Sequence, residues 1–320
     1  MSFTNTVLIT GGTAGLGFYA ALTIAQQHPE YLVVIASRTD KDSAAKSIND
    51  TLKQNNATFL PLDLSSAANV RSFVQGWETK NFPPIIALLL NAALQFPAEL
   101  QKTSDGLEPT FAISHVGHAL LFHLLYPRLA TGARVVITSS GTHDPAQKTG
   151  LPDAKYVTAE ELAYPNPKTA HKDGRQRYST SKLVNIMWTY ALHRRFEKFP
   201  EKALTVNAFD PGLLPGTGLA RNYPAPLRFV WKQIMPRMLP VMRFLVHPNI
   251  HSPQESAKKL ARLAVGDDVK GVTGVYYEGY NQIKSSKDSY DVAKQDDLWQ
   301  WTVKHIATNE EEIAMFDIGD

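Results

Sequence analysis

TVLITGGTAGLG, residues 6–17, decides how this chain folds. Its first five residues are short and apolar enough to form a strand buried on both faces. The glycines that follow stand at 11, 12, 15 and 17, which is not the spacing G-x-G-x-x-G. The physics is nonetheless similar. Gly11 lets the chain turn tightly off the strand, and Gly15 and Gly17 keep side chains away from a pyrophosphate resting on the amino end of the next helix. A glycine-rich turn alone is a weak signal; its place between a strand and the helix-period run GLGFYAALTIAQQH strengthens it.

The alternation continues outward. YLVVIA (31–36), ATFLPL (57–62), IIALLL (85–90), RVVITS (134–139) and LTVNAF (204–209) are short, nearly continuous apolar runs. Helix-period stretches such as ANVRSFVQGWETK lie between them. This predicts an α/β fold with a doubly wound parallel sheet, right-handed crossovers and helices on both faces, three layers in all. No internal repeat or linker interrupts it, so residues 1–320 read as one domain. Two segments break the alternation: 141–177, a polar, Pro-rich insertion with one short helix at TAEELA, and 211–253, rich in prolines and large apolar residues. Both follow strand ends, where the binding loops of such sheets gather. Near the carboxyl end, GVYYEGYNQIKSS and DDLWQWTVKHI read as a last strand and an amphipathic helix, with Tyr276, Tyr277, Trp299 and Trp301 in packing roles.

Composition narrows the function. The chain is 43% hydrophobic and 20% charged, with a formal net charge of +3 and no block of Lys or Arg. A nucleic-acid partner would need a concentrated basic face, so none is expected. There is no cysteine, which excludes disulfides, thiolate metal sites and a Cys nucleophile and fits a reducing compartment. The amino end enters a strand almost at once, so secretion is not expected and a cytoplasmic location is. Residues 224–248 are apolar, but Arg228, Lys232, Arg237 and Arg243 interrupt them, and Pro236 and Pro240 are expected to break any helix. The segment therefore does not span a bilayer. It reads as a lid over a lipophilic pocket; a basic amphipathic piece on a membrane surface is the alternative. A homo-oligomer is compatible with the sequence.

The second strand ends IASRTD. Ser37-Arg38 stand where a ribose-binding carboxylate is usual, and a guanidinium there suits the 2′-phosphate of NADP(H). Asp40, two positions on, could still serve NAD(H); the chemistry favours NADP(H).

Taken in order, the motifs resemble the short-chain dehydrogenase/reductase family. They are Thr10-Gly11-x-x-x-Gly15-x-Gly17, Asp63-Leu64, Asn91-Ala92-Ala93, Ser139-Ser140, Tyr178-x-x-x-Lys182 and Pro211-Gly212. Each alone is common; all six in order, over nearly the whole chain, are specific. The resemblance implies a Rossmann-type fold and hydride transfer to or from NAD(P). It implies that Tyr178 gives a proton to a carbonyl oxygen or takes one from an alcohol, and that Ser140 steadies that oxygen while Ser139 faces away. A free tyrosine has a pKa of about 10; the ammonium of Lys182 would favour the phenolate and lower it. Lys182 would also hold the nicotinamide ribose. Tyr178 and Lys182 share one face of a helix whose opposite stripe, Leu183, Met187, Tyr190 and Ala191, is expected to pack inward. Around the cofactor the resemblance implies Gly11, Thr13, Gly15, Leu16 and Gly17 at the glycine turn and Asp63 at the adenine amino group, with Leu64 beside the ring. The backbone of Asn91 and Ala92 would run along the cofactor. Pro211 and Gly212 would pass the nicotinamide, and Thr217 would reach its amide or the pyrophosphate.

One place departs from the family pattern. In FAISHVGHALLF, Ser114 occupies the position of an Asn that, in the family, holds a water linking the lysine to solvent. A serine hydroxyl is shorter but can still hold a water, so Ser114 joins Ser140, Tyr178 and Lys182 as a catalytic candidate. His115 and His118 have no carboxylate or Cys nearby to complete a metal site and read as helix packing, with no metal expected. The long gap from Ser140 to Tyr178 and the stretch PGLLPGTGLAR resemble the branch holding retinol dehydrogenases and protochlorophyllide reductases. The expected activity is NADP(H)-dependent interconversion of a carbonyl and an alcohol. The substrate is expected to be lipophilic, received by Phe229, Val230, Trp231, Ile234, Met235, Met238 and Leu239 of the lid. The alternatives are a catalytically impaired NADP(H)-binding sensor and a protochlorophyllide-reductase-like double-bond reductase; the lack of cysteine speaks against the light-driven form of the latter.

Overall fold

The computed structural model describes residues 2–94, 99–166, 173–218 and 224–318. The stretch 219–221 of the sequence PGLLPGTGLAR and the stretch 167–172 of the insertion lie outside them. The strands are β1 (Asn5–Thr10), β2 (Tyr31–Ser37), β3 (Ala57–Pro61), β4 (Ile85–Leu90), β5 (Leu129–Thr138), β6 (Thr205–Asp210), β7 (Val275–Glu278) and β8 (Asn281–Ile283). Across the sheet they run β3-β2-β1-β4-β5-β6-β7-β8, all parallel except the β7–β8 pair. Chain order reverses between β1 and β4, so the carboxyl ends of these two strands open a crevice at the switch point.

The helices of the first half are α1 (Gly15–Gln27), α2 (Ala44–Leu52), α3 (Ala67–Glu78), α4 (Pro109–Phe111) and α5 (Gly117–Leu125). Those of the second are α6 (Ala159–Ala163), α7 (Gly174–Phe196), α8 (Ala225–Phe229), α9 (Leu239–Leu245), α10 (Pro253–Val265), α11 (Val292–Ile306) and α12 (Glu310–Phe316). One face of the sheet is covered by α1, α2 and α10, with Ala20, Ile24, Ile48 and Leu260 packed on Val7, Ile9 and Val33. The other is covered by α3, α5, α7 and α11, with Val70, Leu121, Val184 and Leu298 packed around Leu8, Val34 and Leu88. Capping is legible at α10: Ser252 and Glu255 form a reciprocal capping box with Pro253 at the first helical position.

Three expectations are corrected. The carboxyl-terminal run is not one strand but a hairpin, β7 and β8 joined by Gly279-Tyr280, with Glu278 opposite Asn281. The helix carrying Tyr178 packs Leu183, Met187, Tyr190 and Ala191 inward as expected, but its opposite face is covered too: every residue from 177 to 192 is buried, because β6, α4 and α11 all pack against it. Residues 225–245 are helical throughout, as α8, a π-turn (Val230–Ile234), a 3-10 turn (Met235–Met238) and α9. Pro236 and Pro240 each fall in the first turn of a new helical piece, where the missing N–H costs nothing. Among the described residues no helix is long and apolar enough to cross a membrane.

His115, His118 and His123 lie wholly buried along one helical stretch, and burial pushes the pKa of each down to about 3. They stay neutral in the fold but take up protons when it unfolds, so their contribution is present above the ordinary histidine range and lost as pH falls through it. Unfolding free energy should drop between pH 7 and 5 by up to about 1.4 kcal/mol per histidine per pH unit. Urea titrations at pH 7, 6 and 5 measure the slope; a flat profile would mean that none of the three is held neutral.

Candidate active site

A cleft of 410 Å³ opens at the carboxyl ends of β1, β2, β4, β5 and β6. From the glycine turn it takes Gly11, Thr13, Gly15 and Leu16; from the end of β2, Ser37 and Arg38; after β3, Asp63 and Leu64; after β4, Asn91 and Ala92. Ser140, Tyr178, Lys182, Pro211, Gly212 and Thr217 complete it from the other side. Two expected residues stay out. Gly17 lies beneath the cleft, where a Cβ would come within 2.3 Å of the Gly11 carbonyl oxygen and 2.9 Å of Asn91 Nδ2. Its role is close helix–strand packing. Ser114 sits behind the cleft in a π-turn (Ala112–Val116), fully buried, its hydroxyl without a hydrogen-bond partner among the described residues.

The amino end of α1 is prepared for an anion. Its N-cap residue, Ala14, has no side-chain acceptor, so no cap claims the amides of the first turn. Gly15 has φ +55°, and the nearest atoms a Cβ there would meet are those of Thr217, 3.7 Å away, so the cradle above the helix is clear. Beside it, Asp40 is engaged: its carboxylate accepts from the amides of Ala44, at 2.6 Å, and Ala45, capping α2. Arg38 is exposed on the cleft rim and forms no ion pair among the described residues. Asp63 Oδ1 accepts from the amide and hydroxyl of Ser65, at 2.9 and 2.7 Å.

On the reactive side, Lys182 is buried, and its Nζ donates to the Thr138 carbonyl at 3.0 Å while lying 5.5 Å from the centre of the Tyr178 ring. Burial lowers its pKa to about 8, with the Asp210 carboxylate pulling the other way. Asn185 Nδ2 donates to the same carbonyl at 3.0 Å. The two serines that follow β5 turn to different partners: Ser139 is buried and its Oγ donates to the Lys182 carbonyl at 2.8 Å, tying the strand end to α7, while Ser140 is half-buried at the cleft. The Ser140 hydroxyl accepts from the Thr142 amide at 3.3 Å.

Sequence reasoning missed three supports. His143 Nε2 accepts from the Ser286 amide at 3.0 Å, which leaves Nδ1–H to donate to the Ser140 carbonyl at 2.7 Å and fixes the backbone of that serine. Asp210, buried at the end of β6, accepts from the Gly212 amide and from Asn249 Nδ2, both at 2.9 Å, and so shapes the Pro211-Gly212 turn; burial raises its pKa to about 6. His118, expected only to pack, is part of the site's frame. Its Nδ1 reaches the Ser114 carbonyl at 3.3 Å, so Nε2 accepts from the Thr10 hydroxyl at 2.8 Å. That hydroxyl in turn accepts the amides of Asn91 and Ala92, at 2.9 and 3.0 Å. Nothing local in the sequence signals this contact, which joins residues 108 apart.

The expected lid side chains do not line the cleft. From 211–253 it takes Leu214, Thr217 and Gly218 besides Pro211 and Gly212. Phe229, Val230, Ile234 and Met238 are exposed, because the inward side of their helix is occupied by half-buried Trp231, Met235 and Leu239.

Comparison with known proteins points the same way as the geometry. A family model described as short chain dehydrogenase matches residues 5–150, and one described as an AcuH dehydrogenase domain matches residues 219–315. The chain is 32% identical over 310 residues to the short-chain dehydrogenase TIC 32 B, chloroplastic, of Brassica napus, covering 93% of this chain and 88% of that one. It is 31% identical to a polyprenol dehydrogenase of Danio rerio, over 92% of this chain and 84% of that one. It is 30% identical to protochlorophyllide reductase A, chloroplastic, of Oryza sativa subsp. japonica, over 93% and 79%. A solved structure from Mycobacterium Paratuberculosis shares the fold, with a TM-score of 0.68 and 23% identity over 95% of this chain and 94% of that one.

Gly17→Ala should cost about 1–3 kcal/mol of stability through overpacking against a carbonyl that cannot move aside. Gly76→Ala, where a Cβ in the last turn of α3 meets nothing within 4 Å, should stabilise or be neutral. Thermal melts of the two variants side by side make the comparison.

Proposed function

The chain belongs to the short-chain dehydrogenase/reductase family, and we propose that it uses NADP(H) to interconvert a carbonyl and an alcohol on a lipophilic substrate. The observation that carries this reading is that Tyr178, Lys182 and Ser140 share one cleft with the glycine turn and Arg38. When bound, the nicotinamide supplies or accepts the hydride. The unclaimed amides of α1 would hold the pyrophosphate, Arg38 the 2′-phosphate, and Asp63 the adenine amino group. NADP(H) is favoured over NAD(H) because Arg38 is unpaired among the described residues, while Asp40, the candidate ribose-binding carboxylate, is spent on capping α2.

Lys182 would hold the ribose hydroxyls and, by its charge, ease proton loss from Tyr178. The Tyr178 hydroxyl then gives its proton to the substrate oxygen during reduction, or its phenolate takes one from the alcohol during oxidation, while the Ser140 hydroxyl steadies that oxygen. The likeness to a polyprenol dehydrogenase supports a lipophilic substrate. Double-bond reduction is the second reading, favoured by the likeness to a protochlorophyllide reductase.

Following NADPH absorbance with a panel of aldehydes, ketones and conjugated enones tests the proposal. Tyr178→Phe should lower kcat by about 10²–10⁴ with NADPH affinity little changed. An unaltered protein that binds NADPH and turns over none of the panel would be a sensor instead. Arg38→Leu should raise KM for NADPH by about 10–100-fold, the loss of a charged hydrogen bond, and leave KM for NADH alone. Because the Lys182 ammonium is present below a pKa of about 8 and lost above it, carbonyl reduction should slow as pH rises through that value. A pH profile flat to the ordinary lysine range would show that the lysine is not tuned by burial.

A further inference from the structure

The helical segment from α8 to α9 carries two apolar stripes where one would suffice to attach it. Trp231, Met235, Leu239 and Met242, three or four residues apart, are the half-buried stripe that faces the body of the protein. Trp231 Nε1 also donates to the Thr217 carbonyl at 3.0 Å, fastening the segment to the rim of the cleft. Leu227, Val230, Ile234, Met238, Val241 and Leu245 form a second stripe with the same spacing, and all six are exposed. Beside it in α9, Phe244 is 88% exposed, the extreme among the described aromatic residues, and Val246, just past the helix, is 67% exposed. A contiguous apolar surface of this kind marks an interaction site.

Charge identifies the partner. No Asp or Glu occurs between Asp210 and Glu255, whereas Arg228, Lys232, Arg237 and Arg243 fall within the helical segment. Arg243 pairs with Glu255, and Arg228 and Lys232 have no ion-pair partner among the described residues. The rest of the chain mixes its charges, so the local excess is a segregation within a nearly balanced protein with 33 basic and 30 acidic residues. We propose that residues 225–246 dock the protein on an anionic lipid surface, the exposed stripe entering the acyl boundary and the cations meeting the headgroups. A second copy of the chain is the poorer occupant: a two-fold contact would set the same cations against one another with no carboxylate to neutralise them. Docking in this way holds the cleft rim, through Thr217, at the lipid surface. The inference stands independently of the reaction assigned to the cleft.

The test is sedimentation of the full-length protein with phosphatidylcholine vesicles prepared with and without phosphatidylserine. Binding should require the anionic lipid and weaken at high salt. The exposed pairs Phe244→Glu with Leu245→Glu, and Arg228→Glu with Lys232→Glu, should each weaken it about tenfold or more. Thermal melting and NADPH binding should match the unaltered protein in both. Absence of binding to either vesicle, equal binding to both, or equal binding by the variants would overturn the proposal. So would a dimer in light scattering that the Phe244/Leu245 substitution dissociates while no lipid is bound.

Discussion

A buried ammonium needs an acceptor, and the one that Lys182 finds is the carbonyl of Thr138 at the end of β5. Much of the candidate site follows from meeting that need. The bond draws α7 down onto the strand end, and the Ser139 hydroxyl returns a second tie from β5 to the Lys182 carbonyl. With the helix pinned at both ends of one residue, Tyr178 is set one turn away at the cleft, facing it with Ser140, two residues past the end of β5. Without the carbonyl, the ammonium would be uncompensated, a cost large enough to expel the side chain or discharge it.

A second polar frame works on the cofactor side of the cleft. The Thr10 hydroxyl donates to His118 and accepts two amides after β4, so a single oxygen joins the glycine turn, the Asn91-Ala92 strand end and the helix of Ser114. Asn91 closes the frame: its amide donates to the Thr10 carbonyl at 3.0 Å and accepts from the Thr138 hydroxyl at 3.4 Å. The side-chain amide of Asn91 is therefore spent on tying together the ends of β1, β4 and β5, and its backbone N–H on the Thr10 hydroxyl. Gly117, in the same helix as His118, permits the approach, since a Cβ there would lie 2.2 Å from the Leu64 carbonyl oxygen.

The segment from α8 to α9 obeys a different rule. Its prolines segment it into short helical pieces without ending it, because each lies where a helix has no use for an N–H. Its inward stripe settles how it attaches, and its outward stripe with its unbalanced cations sets it apart from the polar surface elsewhere. Of the side chains expected to receive a substrate, this division turns Phe229, Val230, Ile234 and Met238 outward and Trp231, Met235 and Leu239 inward. Periodicity shows that two stripes exist but not which one the body of the protein will take.

What the amino-acid sequence determined by itself is the local order: strand, glycine turn and helix at residues 6–27, the alternation that builds the parallel sheet, and the six motifs at strand ends or on the following helix. These are legible because strands buried on both faces must be continuously apolar and because a turn beside a helix amino end needs residues without side chains. Only the tertiary structure decided which polar groups share partners. His143, His118 and Asp210 are far in sequence from Ser286, Thr10 and Asn249, and no local pattern encodes such pairings. The same holds for Asp40, whose use as a helix cap rather than a ribose ligand depends on where the chain turns after β2. Nor did the apolar spacing of α7 reveal that it is enclosed on every side, since burial is set by what the rest of the chain packs around a helix and not by the helix itself.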